Sequence, residues 1–225
     1  MIASAAAPQL LGVEWADPSW MLDHFGGAFF WLSLVVIVIE CGLFFPFLPG
    51  DTLLFAVGLF IAGGRLDVFP GGEAVNIVLA MVAMGIAAWG GNVIGFEIGQ
   101  RIGPRLYQRE GRIIRREHFD STEQFFDKHG NKALVLGRFV PFVRTYVTVV
   151  AGVSRMDRRR FFLWSAVGAV LWVLSITLIG FFLGAAFPSL GDNIDKALYL
   201  ILAVTAIPVA FEWIKKRRAR AAEQA

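Results

Sequence analysis

Two short segments of this chain set charge and proline inside otherwise apolar sequence. The first reads Glu40-Cys41-Gly42-Leu43-Phe44-Phe45-Pro46-Phe47-Leu48-Pro49-Gly50-Asp51 and carries two carboxylates. The second reads Gly137-Arg138-Phe139-Val140-Pro141-Phe142-Val143-Arg144 and carries two guanidinium groups. Pro46, Pro49 with Gly50, and Pro141 stand where a helix would have to continue, and proline both removes a backbone donor and clashes with the preceding turn. In hydrocarbon, charge and broken backbone are each costly and survive only where protein or trapped water covers them. An arginine is charged at any relevant pH, and its planar fork matches phosphate oxygens. A lone buried carboxylate tends to take up a proton, because desolvation disfavours its charge. The pattern predicts an internal polar site that grips an anion through Arg138 and Arg144 and exchanges protons through Glu40 and Asp51.

Each of these residues has a plainer reading. Asp51 is placed to cap the helix that begins Thr52-Leu53-Leu54-Phe55, a role compatible with function. Glu40, between Ile37-Val38-Ile39 and Cys41-Gly42-Leu43, has no such structural excuse. Arg138 lies close enough to a membrane edge to snorkel back to water, whereas Arg144 lies beyond the proline. An internal ion pair with Glu40 or Asp51 is a further reading, and such a pair acts as a gate if it breaks in another state. No catalytic residue, metal site or cofactor is expected. His24, His118 and His129 are scattered, Cys41 is the single cysteine, and there is no G-x-x-x-x-G-K-[ST], H-E-x-x-H or G-x-S-x-G motif. The chain is therefore not expected to be an enzyme or to be driven by ATP.

The elements that must position these groups are membrane helices. Of the 225 residues 56% are hydrophobic and only 17% charged, against about 25% charged in a soluble domain. Mean hydropathy is +0.62 and the pI about 9.3. That basic balance on an apolar chain points to a membrane surface rather than nucleic acid. Residues 1–24 read as an N-terminal interfacial segment, with Trp15 and Trp20 suited to the headgroup layer. Residues 25–214 form one membrane domain: a broken apolar block at 25–63, a spanning helix at 74–99, an arginine-rich amphipathic stretch at 100–132, a second broken block at 133–153, and spanning helices at 161–187 and 197–214. Residues 215–225 are a basic tail.

Charge sets the expected topology. Of the 21 Lys and Arg, 17 fall in three clusters, at 101–132, 154–160 and 215–220, and the positive-inside rule puts all three in the cytoplasm. Residues 133–153 then start and finish on the same side, so they form a re-entrant hairpin turning near Pro141. By the same logic 25–63 is a hairpin entering from outside and turning near Pro46–Asp51; the N-terminus is external in that case and cytoplasmic if 25–47 spans. The predicted fold is an all-α polytopic membrane protein with two opposed re-entrant hairpins and three to four transmembrane helices, arranged as an inverted repeat like that of transporters. Gly91, Gly95, Gly99 and Gly103, four apart, make a smooth ridge for close packing against inner elements or a second copy, leaving room for a homodimer. Glu97 is expected to pair with Arg101 at i,i+4, and Trp164 and Trp172 to be interfacial or core aromatics.

These residues resemble the DedA family, whose shared core is the VTT or SNARE-associated domain. The matching pieces are Glu40-x-Gly42-x-x-x-Pro46-x-x-Pro49-Gly50-Asp51, then Gly91-Asn92-x-x-Gly95-Phe96-x-x-Gly99-x-x-x-Gly103, then Arg138-Phe139-x-Pro141-x-x-Arg144-Thr145 followed by Ala151-Gly152 and Met156. The likeness covers about residues 25–190. It implies a multi-pass inner-membrane protein that moves phospholipids or undecaprenyl phosphate between leaflets and supports proton-motive-force-dependent envelope homeostasis and resistance to cationic antimicrobials. It also implies that Glu40, Asp51, Arg138 and Arg144 are the functional residues. Asp51 stands where many members have glutamate, which keeps the charge and shortens its reach.

The leading expectation is a lipid transporter, or flippase, in the plasma membrane with a cytoplasmic C-terminus. Its partners would be a polyprenyl phosphate or phospholipid and a proton or cation. The alternatives are an ion-coupled exporter of cationic toxicants and a non-transporting assembly factor. Cysteines introduced at Gly64 and Ser154 are expected to react with an impermeant maleimide from opposite sides of the membrane; labelling of both from one side would defeat the hairpin topology.

Overall fold

The computed structural model describes residues 18–43, 48–106 and 130–187. Pro46, most of the amphipathic stretch, the expected span at 197–214 and the basic tail lie outside the described residues. Every regular element among the described residues is helical: α1 (Pro18–Phe25), α2 (Ala28–Leu43), α3 (Gly50–Ala62), α4 (Glu73–Leu106), α5 (Ala133–Leu136), α6 (Pro141–Val153) and α7 (Arg158–Ala186). Short 3-10 turns at Gly130–Lys132 and Gly137–Phe139 flank α5.

Local sequence explains where the helices stop. After α3, Gly64 takes φ +66°, a left-handed conformation open to glycine, and Arg65 N donates to Phe60 O at 2.8 Å while Gly64 N donates to Ile61 O at 3.0 Å. This is a Schellman closure. Before α6, Val140 is extended at φ −108°, ψ 111°, as a residue preceding proline must be, and Pro141 opens the helix at its first turn, where its missing N–H costs nothing. α7 begins with Asp157, whose side chain accepts from Arg160 N at 3.0 Å.

Only α4 and α7 are long and apolar enough to cross a bilayer among the described residues. Their long stretches, Glu73–Arg101 and Arg158–Ala186, are each 29 residues, and an 18-residue window in each has mean hydropathy 2.0 and 2.4. At 1.5 Å per residue each reaches about 43 Å. α2 and α3, with 16 and 13 residues, reach about 24 and 20 Å, short of a ~30 Å hydrocarbon core. The outward faces of the two long helices are apolar. Ile86, Leu163 and Phe182 remain 63%, 64% and 63% exposed, a surface made for hydrocarbon rather than water.

The packing follows one rule in both halves. α2 packs on α4 and α5 packs on α7, each on the long helix that follows it in sequence. α3 packs instead on α7, and α6 on α4, each on the long helix of the other half. This exchange interlocks the halves and brings the two chain breaks face to face. Small residues make it possible. A Cβ on Gly91 would lie 2.7 Å from Val38 O of α2, and one on Gly95 2.9 Å from Thr148 Oγ1 of α6. A Cβ on Gly99 would meet the Val149 backbone of α6. Three of the four ridge glycines thus serve packing inside the chain; Gly103 continues the same helix.

Gly180 of α7 lies so close to α3 that an added Cβ would overlap Phe55 O, whereas Gly90 of α4 has nothing within 4 Å. Gly180→Leu is therefore expected to lower the detergent melting temperature, with an overpacking cost of about 1–3 kcal/mol. Gly90→Leu should be neutral or mildly stabilising, because leucine is the better helix former. Equal melting temperatures would refute the α3–α7 contact.

Candidate functional site

The site is built from the two breaks. α2 ends and α3 begins at the first, which puts Glu40 in the last turn of α2 and Asp51 in the first turn of α3. The N-cap residue of α3 is Pro49, which offers no side-chain acceptor. The Gly50 amide, one of the unpaired donors every helix start exposes, donates instead to Glu40 Oε2 at 2.8 Å. Glu40 is 6% exposed. The structural roles are thus the reverse of those the sequence suggested: Glu40 satisfies the start of α3, and Asp51 does not cap it. Glycine at position 50 follows directly, since a Cβ there would overlap the Glu40 carboxylate.

The second break supplies the opposite charge. Arg144 lies in the first turn of α6 and extends its fork between the two acids, Nη2 to Glu40 Oε1 and Nη1 to Asp51 Oδ2. One guanidinium thus joins α6 to both arms of the first break. Arg138 lies in the 3-10 turn just before Pro141 and is 7% exposed, so it does not snorkel to solvent. Its Nη2 donates to Asn92 Oδ1 of α4, and Asn92 Nδ2 donates on to Ser165 Oγ of α7 at 2.8 Å. Among the described residues no carboxylate lies within ion-pairing distance of Arg138.

Trp172 of α7 ties the two halves of the site together. The Arg138 and Arg144 guanidinium carbons sit 5.2 and 5.7 Å from its ring centroid, within cation–π range. Its Nε1 donates to Asp51 Oδ1 at 2.9 Å. Each Asp51 oxygen therefore has one donor, Arg144 for one and Trp172 for the other. The four charges sum to zero but are unevenly shared. Arg144 holds both acids, and among the described residues Arg138 has an amide oxygen, the Cys41 thiol and an aromatic face. Such an arrangement can hold charge inside an apolar protein only because every partner is in place; removing one leaves a buried charge unmatched.

All four sequence-identified charges therefore converge on one region. Pro49, Gly50 and Pro141 make the breaks that place them there. The sequence reading missed Trp172, Asn92 and Ser165 as members of the site. Asn92 carried a usable signal, a buried amide in the middle of an apolar span. Trp172 did not, since one aromatic in an apolar helix reads the same whether it meets lipid, core or cation. Glu97 pairs across helices with Arg158 of α7 at 3.2 Å rather than with Arg101, because the start of α7 runs beside the end of α4 and brings a closer guanidinium to it.

The family model described as the VTT domain matches residues 45–182. The chain is 36% identical over 203 residues to protein DedA of Escherichia coli (strain K12), covering 89% of each chain. It is 35% identical over 205 residues to a Mycobacterium leprae membrane protein, covering 91% of this chain and 86% of the relative. It is 31% identical over 204 residues to the inner membrane protein YqjA of E. coli K12, covering 88% and 89%. No solved structure matches.

Trp172→Phe keeps an aromatic face under the arginines and removes only the donor to Asp51. It is expected to cost about 1–3 kcal/mol, as a hydrogen bond to a charged group does. Trp172→Leu removes the donor and the ring and should cost more. Melting curves of the two variants in detergent decide this; identical losses would mean that the cation–π contacts contribute nothing.

Proposed function

We propose, from the premise that this chain belongs to the DedA family of VTT-domain membrane proteins, that it moves a phosphate-headed lipid between leaflets in a cycle coupled to protons. The observation that carries the reading is the unequal treatment of two arginines six residues apart in one broken segment: part-buried Arg144 is held by both acids, whereas buried Arg138 meets an amide oxygen, the Cys41 thiol and an aromatic face and has no ion pair among the described residues. A guanidinium has five N–H donors, so an amide oxygen leaves Arg138 both charge and donors for an anion. The N-terminus of α6 lies between the two arginines and has no side-chain cap, and a helix start adds positive potential of its own. A phosphate monoester or diester is the membrane anion this set of groups suits.

In the described state the Arg144 clamp is closed. A proton on Glu40 or Asp51 removes one of the two charges that hold Arg144 and lets its fork turn toward a phosphate already on Arg138. Loss of the proton restores the carboxylate, which draws Arg144 back and expels the head. The two broken segments act as re-entrant hairpins from opposite faces, so the head crosses at the midplane while the tails of a polyprenyl phosphate or phospholipid stay in the bilayer. The basic clusters and the C-terminus face the cytoplasm across the plasma membrane. An exporter of cationic toxicants fits less well, because its substrate would first have to displace Arg144 from both acids.

Purified protein in liposomes, with lipid phosphate accessibility as the readout, tests this. Arg138→Gln and Arg144→Ala are expected to abolish transfer, and Arg144→Lys to restore little, because an ammonium cannot span two carboxylates as a fork does. Glu40→Gln combined with Asp51→Asn should keep slow transfer and lose its response to an imposed pH gradient. Unchanged transfer in Arg144→Ala and an intact gradient response in the double variant would rule the mechanism out.

A further inference from the structure

We propose that the groove between α4 and α7 is a binding site for one hydrocarbon chain of the anionic lipid whose head meets Arg138. The proposal rests on the preceding reading only for the nature of the head. The groove has a volume of about 340 Å³ and is lined by Val78, Val82, Gly85 and Trp89 of α4 and Ala166 and Val170 of α7, among other apolar residues. Val78, Val82 and Val170 are 51%, 53% and 48% exposed, so the groove opens sideways to the bilayer. Gly85 makes room in its floor, since a Cβ there would meet nothing within 4 Å.

What sets this groove apart is where it ends. Trp89 Nε1 donates to Phe162 O of α7 at 3.2 Å and closes it. The next polar residue along α4 is Asn92, about 4.5 Å further along the axis, bonded to Ser165 beside the groove-lining Ala166 and to Arg138. An apolar channel that meets the bilayer along its side therefore stops about one helical turn short of Asn92, whose amide oxygen accepts from a buried cation with no carboxylate partner among the described residues. An amphiphile with one negative head fits both parts at once: the head replaces Asn92 at, or joins it on, Arg138, and the chain runs back toward Val78. A neutral lipid would fill the groove without any preference for its polar end. The shallow groove between α2 and α4, lined by Leu34, Val38 and Ala83, is also apolar and serves as the internal comparison.

The experiment uses the full chain in phosphatidylcholine vesicles and two photoreactive probes. One is dodecyl phosphate with a terminal diazirine; the other carries the same chain on a neutral maltoside. Adducts are mapped by mass spectrometry. The phosphate probe is expected to label the segments 78–89 and 166–174 about tenfold more than 34–39, the preference a charge-assisted hydrogen bond supplies. Arg138→Gln should erase that preference. Gly85→Leu, whose Cβ meets nothing within 4 Å and whose isobutyl group extends into the groove, should remove the labelling, while Gly90→Leu should not. Equal labelling by the neutral probe, equal labelling of both grooves, or full labelling in Gly85→Leu would each overturn the proposal. If Arg138→Gln does not fold, the neutral probe and Gly85→Leu still decide. Failure here is separable from failure of the transport reading. Groove labelling without lipid transfer would refute transport and keep the chain site, and transfer without groove labelling would do the reverse.

Discussion

A guanidinium largely removed from water must have its charge and donors met by protein groups, and Arg144 meets two carboxylates from one other segment. Much of the architecture can be read as what is needed to bring those three groups to one point. The carboxylates sit on either side of one break and the arginine just after the other, so the breaks must face each other. Because lipid offers no substitute partner, a structure that misplaced any of the three would strand a charge in hydrocarbon, at a cost of several kcal/mol. The same constraint explains Glu40, which stabilises the buried first amide of α3 and Arg144 at the same time.

The exchanged packing is the mechanical side of this requirement. If each broken segment packed only on its own long helix, the two breaks could drift apart. α3 on α7 and α6 on α4 prevent that. The glycines at 91, 95, 99 and 180 let backbones approach closely enough for this to happen, which in lipid is a main source of helix association. Trp172 then joins Asp51 and both arginines from a third element, through one hydrogen bond and two cation–π contacts. A site held by so many elements is rigid while it is closed. Opening it calls for a change in charge rather than a small thermal displacement.

That gives the two arginines different parts in one proposed cycle. Arg144 is the group whose freedom depends on protonation, and Arg138 is the group that stays positive and lightly partnered throughout. In the proposed lipid site, the apolar groove that ends one turn short of Asn92 extends the same division to the lipid, with the head inside the protein and the chain along its flank.

Much was legible in the sequence because it depends on local composition. Apolar blocks read as helices, proline and glycine mark where helices end, and four charges in apolar surroundings stand out against the cost of burying them. That cost makes Glu40, Asp51, Arg138 and Arg144 visible without coordinates. Tertiary structure alone decided which charge meets which. It put both acids on Arg144, gave Arg138 to Asn92, took Glu97 from Arg101 to Arg158, moved the capping role from Asp51 to Glu40, and drew Trp172 into the site. The physical reason is that burial penalties attach to single residues and leave their mark at single positions. Pairing energies fall away within a few ångströms, and which side chains come that close is settled by how helices distant in sequence pack.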